Sequence, residues 1–129
     1  MSLAREKYVS LETFRKSGVA VPSPVWIVPL PEGRLGLTTA PDAGKVKRLR
    51  NNPEVRLTPC DMRGRVRPGA PTVTGTARVV FDGPELAKVR SELRAKYGPL
   101  AWAVELGGRL KAVIARGDHT AAVIVELNA

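Results

Sequence analysis

Residues 19–28 read Val-Ala-Val-Pro-Ser-Pro-Val-Trp-Ile-Val, a β-type segment interrupted by Pro22 and Pro24. Proline has no N–H to give to a strand ladder, so such a segment must be bulged or unpaired along part of one edge. An edge with free backbone groups can present them to a ligand instead of to a neighbouring strand. Any fold for this chain has to accommodate that edge.

The rest of the chain supplies partners for it. Residues 8–15 (Tyr-Val-Ser-Leu-Glu-Thr-Phe-Arg) form a β-rich segment closed by the turn Lys16-Ser17-Gly18. After a turn over residues 29–33, residues 34–39 read as a third strand. Residues 54–60 alternate polar and apolar as a fourth, and residues 72–81 make a fifth. Gly75 marks a bulge or a close backbone approach within that fifth strand. Residues 121–127 (Ala-Ala-Val-Ile-Val-Glu-Leu) form a buried last strand. Asp82-Gly83-Pro84 opens a helix whose Leu86, Val89, Leu93 and Tyr97 repeat on one face, with Gly98 as its stop. A further helix is expected over residues 99–116, weakened by Gly107 and Gly108. Residues 1–7 read as a helical or frayed lead-in, and residues 61–70, rich in Gly and Arg, as a mobile loop. About six strands with helices filling the gaps make a mainly β (α+β) chain, a small antiparallel barrel in a single domain over residues 1–129.

Charge adds a partner class. The chain of 129 residues has a formal net charge of +9, which points to an anionic partner. Eight of its 21 Lys and Arg residues (Lys45, Lys47, Arg48, Arg50, Arg56, Arg63, Arg65 and Arg67) fall in one short stretch. The sequence has no long apolar run and no signal-peptide pattern, so it reads as soluble and cytoplasmic, without a membrane partner. Cys60, the single cysteine, fits a reducing compartment and a small buried role. One cysteine and one histidine, His119, make a metal site unexpected, and His119 in its Gly-Asp-His-Thr turn is given no catalytic role.

The charge gathers on residues 38–53, Thr-Thr-Ala-Pro-Asp-Ala-Gly-Lys-Val-Lys-Arg-Leu-Arg-Asn-Asn-Pro, which read as a strand end, a turn and a helix of about ten residues. Ala43, Val46 and Leu49 give that helix a narrow apolar face. Lys45 lies in its first turn, where the helix dipole and unpaired N–H groups are already positive. A cation there is mildly unfavourable unless an anion sits between it and the helix end. Thr38 and Thr39 add hydroxyl donors, and Gly44 lets a ligand approach the backbone. The combination describes a phosphate site; the competing reading is a solvated basic face.

These motifs resemble a known family. Tyr8-Val-Ser-Leu with Thr13-Phe-Arg-Lys and Gly18, Pro24-Val-Trp-Ile, Thr38-Thr39 followed by Gly44-Lys-Val-Lys-Arg-Leu-Arg-Asn-Asn-Pro53, Pro59-Cys-Asp with Arg63-Gly64, and Gly75-Thr-Ala-Arg78 are similar to the PPOX-class, F420-dependent oxidoreductases of actinobacteria, relatives of pyridoxamine 5′-phosphate oxidase. The resemblance implies a split β-barrel of the FMN-binding, Greek-key type, forming a homodimer with a flavin or deazaflavin at the subunit interface. It implies that Lys45 pairs with the cofactor phosphate and that Thr39, with Thr38 beside it, contacts the same group. Lys47 and Arg48 add charge there. Ser23, Pro24, Val25 and Trp26 are expected to run beside the cofactor ring and hydrogen-bond its edge through backbone groups. Gly44 stands where the vitamin-forming oxidases carry an arginine, and the chain ends Glu126-Leu-Asn-Ala129 without their Arg- and Pro-rich substrate motif. Both departures argue against pyridoxamine phosphate as substrate.

Hydride transfer belongs to the cofactor, and the protein orients it. No acid–base pair announces itself, so no catalytic side chain is assigned. Coenzyme F420 carries a phosphate and a polyglutamate tail, which suits the cations from Lys45 to Arg67 better than FMN does. The expected reaction is hydride transfer between reduced F420 and a conjugated organic acceptor, a small molecule. FMN is the alternative cofactor. Trp26 is either a core aromatic or a ring contact, and Asp61 and Arg63 stand on a loop that either meets substrate or is simply solvated. Two rival functions are a non-catalytic carrier of a flavin, haem or other planar ligand, and a small nucleic-acid-binding barrel. Aromatic content of 5% argues against the latter, because stacking platforms for bases would be scarce.

Overall fold

A computed structural model describes residues 3–97 and 121–128. Gly98, the helix expected over residues 99–116 and His119 lie outside the described residues. After a short 3₁₀ turn (Leu3–Arg5) come β1 (Tyr8–Phe14), β2 (Ala20–Val25), β3 (Val28–Pro29), β4 (Leu35–Thr39), α1 (Gly44–Asn51), β5 (Glu54–Cys60), β6 (Val73–Val80), α2 (Pro84–Tyr97) and β7 (Ala121–Leu127). The seven strands form one sheet in the order β2-β1-β5-β6-β7-β4-β3, every pair antiparallel. β4 lies beside β7 after the excursion through α1, β5 and β6, which is Greek-key order.

The count differs from the expected six because residues 19–28 split into two strands. β2 and β3 occupy opposite edges of the sheet, yet only Trp26 and Ile27 join them. Three Cα steps reach about 10 Å at most. The two edges must therefore come together at this link, and the sheet curls on itself into a barrel. β3 is two residues long, so the closure is brief and the edges part again beyond it. The result is a split β-barrel. Pro22 and Pro24 lie on the edge strand β2, opposite Glu12 and Ser10, as their missing N–H groups require.

Strand alternation divides the apolar side chains between two layers. Val9 and Leu11, Leu35 and Leu37, Val55 and Leu57, and Val123 and Val125 face the barrel interior, joined by Ile27 and by Leu49 of α1. The opposite face of β4 and β7, with Val28, Ala122 and Ile124, packs under α2 through Leu86, Val89, Leu93 and Tyr97. These four positions repeat at helical spacing, and each buried side chain contributes about 1.5–3 kcal/mol. Glu85 fixes the start of α2 by accepting from both nitrogens of Arg78 on β6 and from Arg34 before β4. α1 is shorter than expected, eight residues, because Ala43 is its extended N-cap. Val46 and Leu49 alone supply its buried face. Asn52 ends it by donating its N–H to the Arg48 carbonyl at 2.9 Å, and Pro53 follows.

Among the described residues the Trp26–Ile27 link has no strand beside it to satisfy its peptide groups. The C-terminal turn of α2 does this instead. Tyr97 Oη accepts from the Ile27 N–H at 3.1 Å and donates to the Lys7 carbonyl at 2.7 Å. Lys96 Nζ donates to the carbonyls of Ile27 and Glu6, each at 2.6 Å. The Trp26 indole lies flat on the Tyr97 ring, with centroids 4.2 Å apart and planes 4° apart. Burial lowers the Lys96 pKa to about 8, against a smaller raising influence of Glu6.

Two outcomes follow from this packing. A Cβ at Gly75 would lie 2.6 Å from the Glu126 carbonyl oxygen, which is backbone of the paired strand β7 and cannot swing away. At Gly36 a Cβ would meet only side-chain tips, Val89 Cγ2 at 2.8 Å and Leu30 Cδ1 at 3.0 Å. Gly75→Ala is expected to lower stability by about 1–3 kcal/mol, and more than Gly36→Ala, when the two urea midpoints are compared. The second outcome concerns pH. Between about 8, where folded Lys96 releases its proton, and 10.5, its ordinary value, the unfolded chain binds the extra proton. Folding stability therefore rises with pH across that window. Thermal melts of the parent and of Lys96→Met from pH 7 to 10.5 check this: the parent gains on the variant above pH 8, and parallel curves would contradict it.

Candidate functional site

The split has two lips. One is β2, whose outer side carries no strand among the described residues. The other is the end of β4, because β3 pairs only with Leu35 and Gly36 and, among the described residues, no strand pairs with Leu37, Thr38 and Thr39 on that side. Continuing the β3–β4 register past the link would set Trp26 against Thr38 and Val25 against Thr39. Ser23, Pro24, Val25 and Trp26 thus stand on one lip, across from Thr38 and Thr39 on the other. Thr39 shares the inward face with Leu35 and Leu37, and Ser23 shares it with Val25; both are half-buried. Thr38 points to the α2 side with Gly36. Prolines in a paired strand place their nitrogen away from the ladder, so the free edge of β2 is rich in carbonyls and poor in N–H donors. The Trp26 side chain is 8% exposed and stacked on Tyr97, which leaves its backbone as what it offers the split.

α1 begins five residues after Thr39 and packs against β1 and β6, with Leu49 reaching the barrel core. Its first turn is Gly44, Lys45, Val46 and Lys47, and its N-cap Ala43 has no side-chain acceptor for the amides there. Arg48 folds back over this turn. Its Nε donates to Thr13 Oγ1 at 2.6 Å, and its Nη1 lies 2.8 Å from the position of a Cβ on Gly44. A side chain at position 44 would displace the guanidinium, so the glycine keeps a cation over the positive end of the helix. Burial, and secondly the guanidinium of Arg15, lower the Arg48 pKa. Two like charges and a helix N-terminus converge there, with the exposed Asp42 as the nearest acid in sequence. This is a place for an anion.

Thr13 and Arg15 belong to the motif that carries the family resemblance, but neither of them was assigned a binding role from the sequence. Thr13 is 1% exposed and continues the inward stripe of Val9 and Leu11, so a hydroxyl ending an apolar stripe was the available signal. Nothing in the sequence linked it to Arg48.

The cations between Lys45 and Arg67 do not form one patch. β5 separates the α1 group from Arg63, Arg65 and Arg67 by seven residues, roughly 20 Å. Arg56, between them, pairs with Glu12 at 3.3 Å and lies 5.0 Å from the centre of the Phe14 ring. Within the loop after β5, residues 61–65 form a hydrogen-bonded turn. Asp61 accepts from the N–H groups of Arg63 and Arg65, each at 2.9 Å, and from Arg65 Nε at 3.1 Å. The backbone bond from Arg65, ahead of the other contacts, lowers the Asp61 pKa, so this carboxylate is no proton donor. Gly64, at φ +83°, turns the loop toward the Pro24 ring on the outer side of β2. Cys60 is half-buried, and burial with Asp61 beside it raises its thiol to about 11. It is not a nucleophile at neutral pH. Among the described residues no group of His, Cys, Asp and Glu is arranged to hold a metal ion.

Solved structures share this architecture. A conserved hypothetical protein from Mycobacterium tuberculosis superposes with a TM-score of 0.69 at 18% identity, over 99% of this chain and 77% of that one. HutZ, the heme storage protein from Vibrio cholerae, gives 0.68 at 16% identity, over 96% and 83%. An F420 reductase gives 0.64 at 21% identity, over 99% and 91%. At these identities the likeness is one of fold. No curated protein matches the chain in sequence. The family described as pyridoxamine 5′-phosphate oxidase matches residues 2–125, and with its curled antiparallel barrel, its split and its helix-capped end the chain belongs to that family.

Proposed function

We propose that the split holds a flavin-type cofactor with its phosphate at the start of α1, and that the protein is an oxidoreductase using coenzyme F420. The observation that carries this is the convergence of Arg48 and Arg15 at the N-terminus of α1, whose first turn includes Lys45 and which follows the lip bearing Thr39. Lys45, Arg48, Thr39 and Thr38 would bind the phosphate, with Lys47 at the exposed side. The carbonyl-rich edge of Ser23, Pro24, Val25 and Trp26 would accept from the ring's imide N–H. When bound, the cofactor supplies hydride transfer to or from a conjugated acceptor. The chain's own part is to orient the ring and neutralise the phosphate, for which no acid–base pair is required. A second copy of the chain would cover the open side of the split, making a homodimer with the cofactor between subunits.

F420 is favoured over FMN by what surrounds the α1 site. Exposed Lys47, Arg50 and Arg15, with Lys16 next in the chain, would meet the carboxylates of a polyglutamate tail, whereas FMN would leave them unused. The likeness to an F420 reductase agrees with this. A second reading, a non-catalytic carrier of a planar ligand, is favoured by the likeness to a heme storage protein. Absorbance titration of the protein with F420, FMN and haem separates the readings. F420 should bind more tightly than FMN, more so with a longer tail, and less tightly as salt is added. Equal affinities, or indifference to salt, would remove the case for F420.

Lys45 tests the phosphate site itself. Loss of a charge-assisted hydrogen bond costs about 1.5–3 kcal/mol, or roughly tenfold to a hundredfold in affinity. Lys45→Ala should weaken F420 or FMN binding by that factor, while Arg50→Ala, exposed near the far end of α1, does much less. A Lys45→Ala protein that binds like the parent would place the phosphate elsewhere.

A further inference from the structure

We propose that Lys96 and Tyr97 are positioning residues for the split: together they set how far its lips stand apart, and so how well it holds a planar ligand. The proposal rests on the reading of the split as the cofactor site, but it can be tested without a cofactor. Its basis is the hydrogen bonding of one residue. Ile27 sits in the two-residue link where the chain leaves one sheet edge for the other, and both of its peptide groups are held by α2 side chains. The N–H goes to Tyr97 Oη and the C=O to Lys96 Nζ. The same two side chains bind the carbonyls of Lys7 and Glu6, just before β1. β1 is the partner strand of β2. The end of α2 thus grips both the link and the start of the strand that carries the β2 lip.

The consequence is mechanical. In a strand ladder each peptide group is held by a neighbour that continues in register, which fixes direction over several residues. Here two side chains from one helical turn replace the ladder, so the direction in which β2 departs is set at Ile27. The Trp26–Tyr97 stack resists rotation of the link about its own axis. The Lys96 ammonium has three N–H donors, enough to reach both carbonyls at once.

Tyr97→Phe tests this, because it keeps the ring stack and removes only the hydroxyl. Val80→Ala, which trims a half-buried side chain packed against the same layer, is the control for general loss of stability. Spin labels placed at exposed positions on either side of the split, by Pro22→Cys and Asp42→Cys in a Cys60→Ser background, report the spacing of the lips without any cofactor. The expected result is a broader and longer distance distribution in Tyr97→Phe and in Lys96→Met, and the parent distribution in Val80→Ala. In the same set without labels, affinity for whichever of FMN and F420 the parent binds should fall about tenfold in Tyr97→Phe, the scale of one hydrogen bond. The bound cofactor's absorption band should also shift. An unchanged distance distribution in Tyr97→Phe overturns the proposal, as does an equal change in Val80→Ala. If the parent binds neither cofactor, the functional reading fails, and the distances alone still decide whether α2 sets the split.

Discussion

The link of Trp26 and Ile27 between the two edge strands is the constraint on which the rest depends. A seven-stranded antiparallel sheet can lie open, twist, or close. Joining its outermost strands through two residues leaves only closure, since the link reaches about 10 Å. Closure removes most of the exposed edge that would otherwise invite pairing with another chain. It also concentrates the inward side chains of six strands into one core. The short β3 then decides how complete the closure is: two residues of pairing, after which β2 and β4 diverge. The split is therefore a direct result of how soon the chain turns away from β4 toward β1.

Closing a sheet this way has a local cost. The peptide groups of the link are out of register with any strand, and a buried peptide group without a partner costs about 1–3 kcal/mol. α2 supplies the partners, which explains why a lysine is tolerated in a half-buried place that lowers its pKa. The helix is thus more than a cover for the outer face of β4 and β7. Its apolar stripe fixes where it lies, and its last turn fixes where the chain crosses.

Much of the fold was legible because local signals agreed with it. The alternation in residues 54–60 and the unbroken apolar run at the start of residues 121–127 marked those strands at their observed bounds, and Gly75 marked the close approach that it makes to Glu126. The four apolar positions of α2 were also visible. The break between β2 and β3 was not. Val25 to Val28 is an unbroken β-type run, and what divides it is a tyrosine 70 residues away. The charge was misleading for a related reason. Cations contiguous in sequence lie at both ends of β5, while Arg15, thirty-three residues before Arg48, joins it. Sequence proximity measures distance along the chain, and an antiparallel barrel reverses that direction at every strand. Of the nine residues assigned to cofactor binding, the fold sets Ser23, Pro24, Val25, Trp26, Thr38 and Thr39 on facing lips, with Lys45, Lys47 and Arg48 on the helix beyond them.

The electrostatics of that end follow from geometry and not from the number of cations. Arg48 stands where a helix dipole is already positive, and Arg15 adds a like charge. Its one short hydrogen bond, to Thr13, is to a neutral hydroxyl, so it orients the guanidinium without neutralising it. A carboxylate in that position would satisfy the arginine and close the site to anions. Threonine does the opposite, holding the fork in place with its charge unspent, and Gly44 leaves the space in which it lies. The contrast with Arg56, Arg65 and Arg78, each paired with a carboxylate, separates cations that hold the barrel together from those available to a ligand. By that criterion Arg48, at the barrel end capped by α1, is a cation that the proposed anionic ligand could still engage.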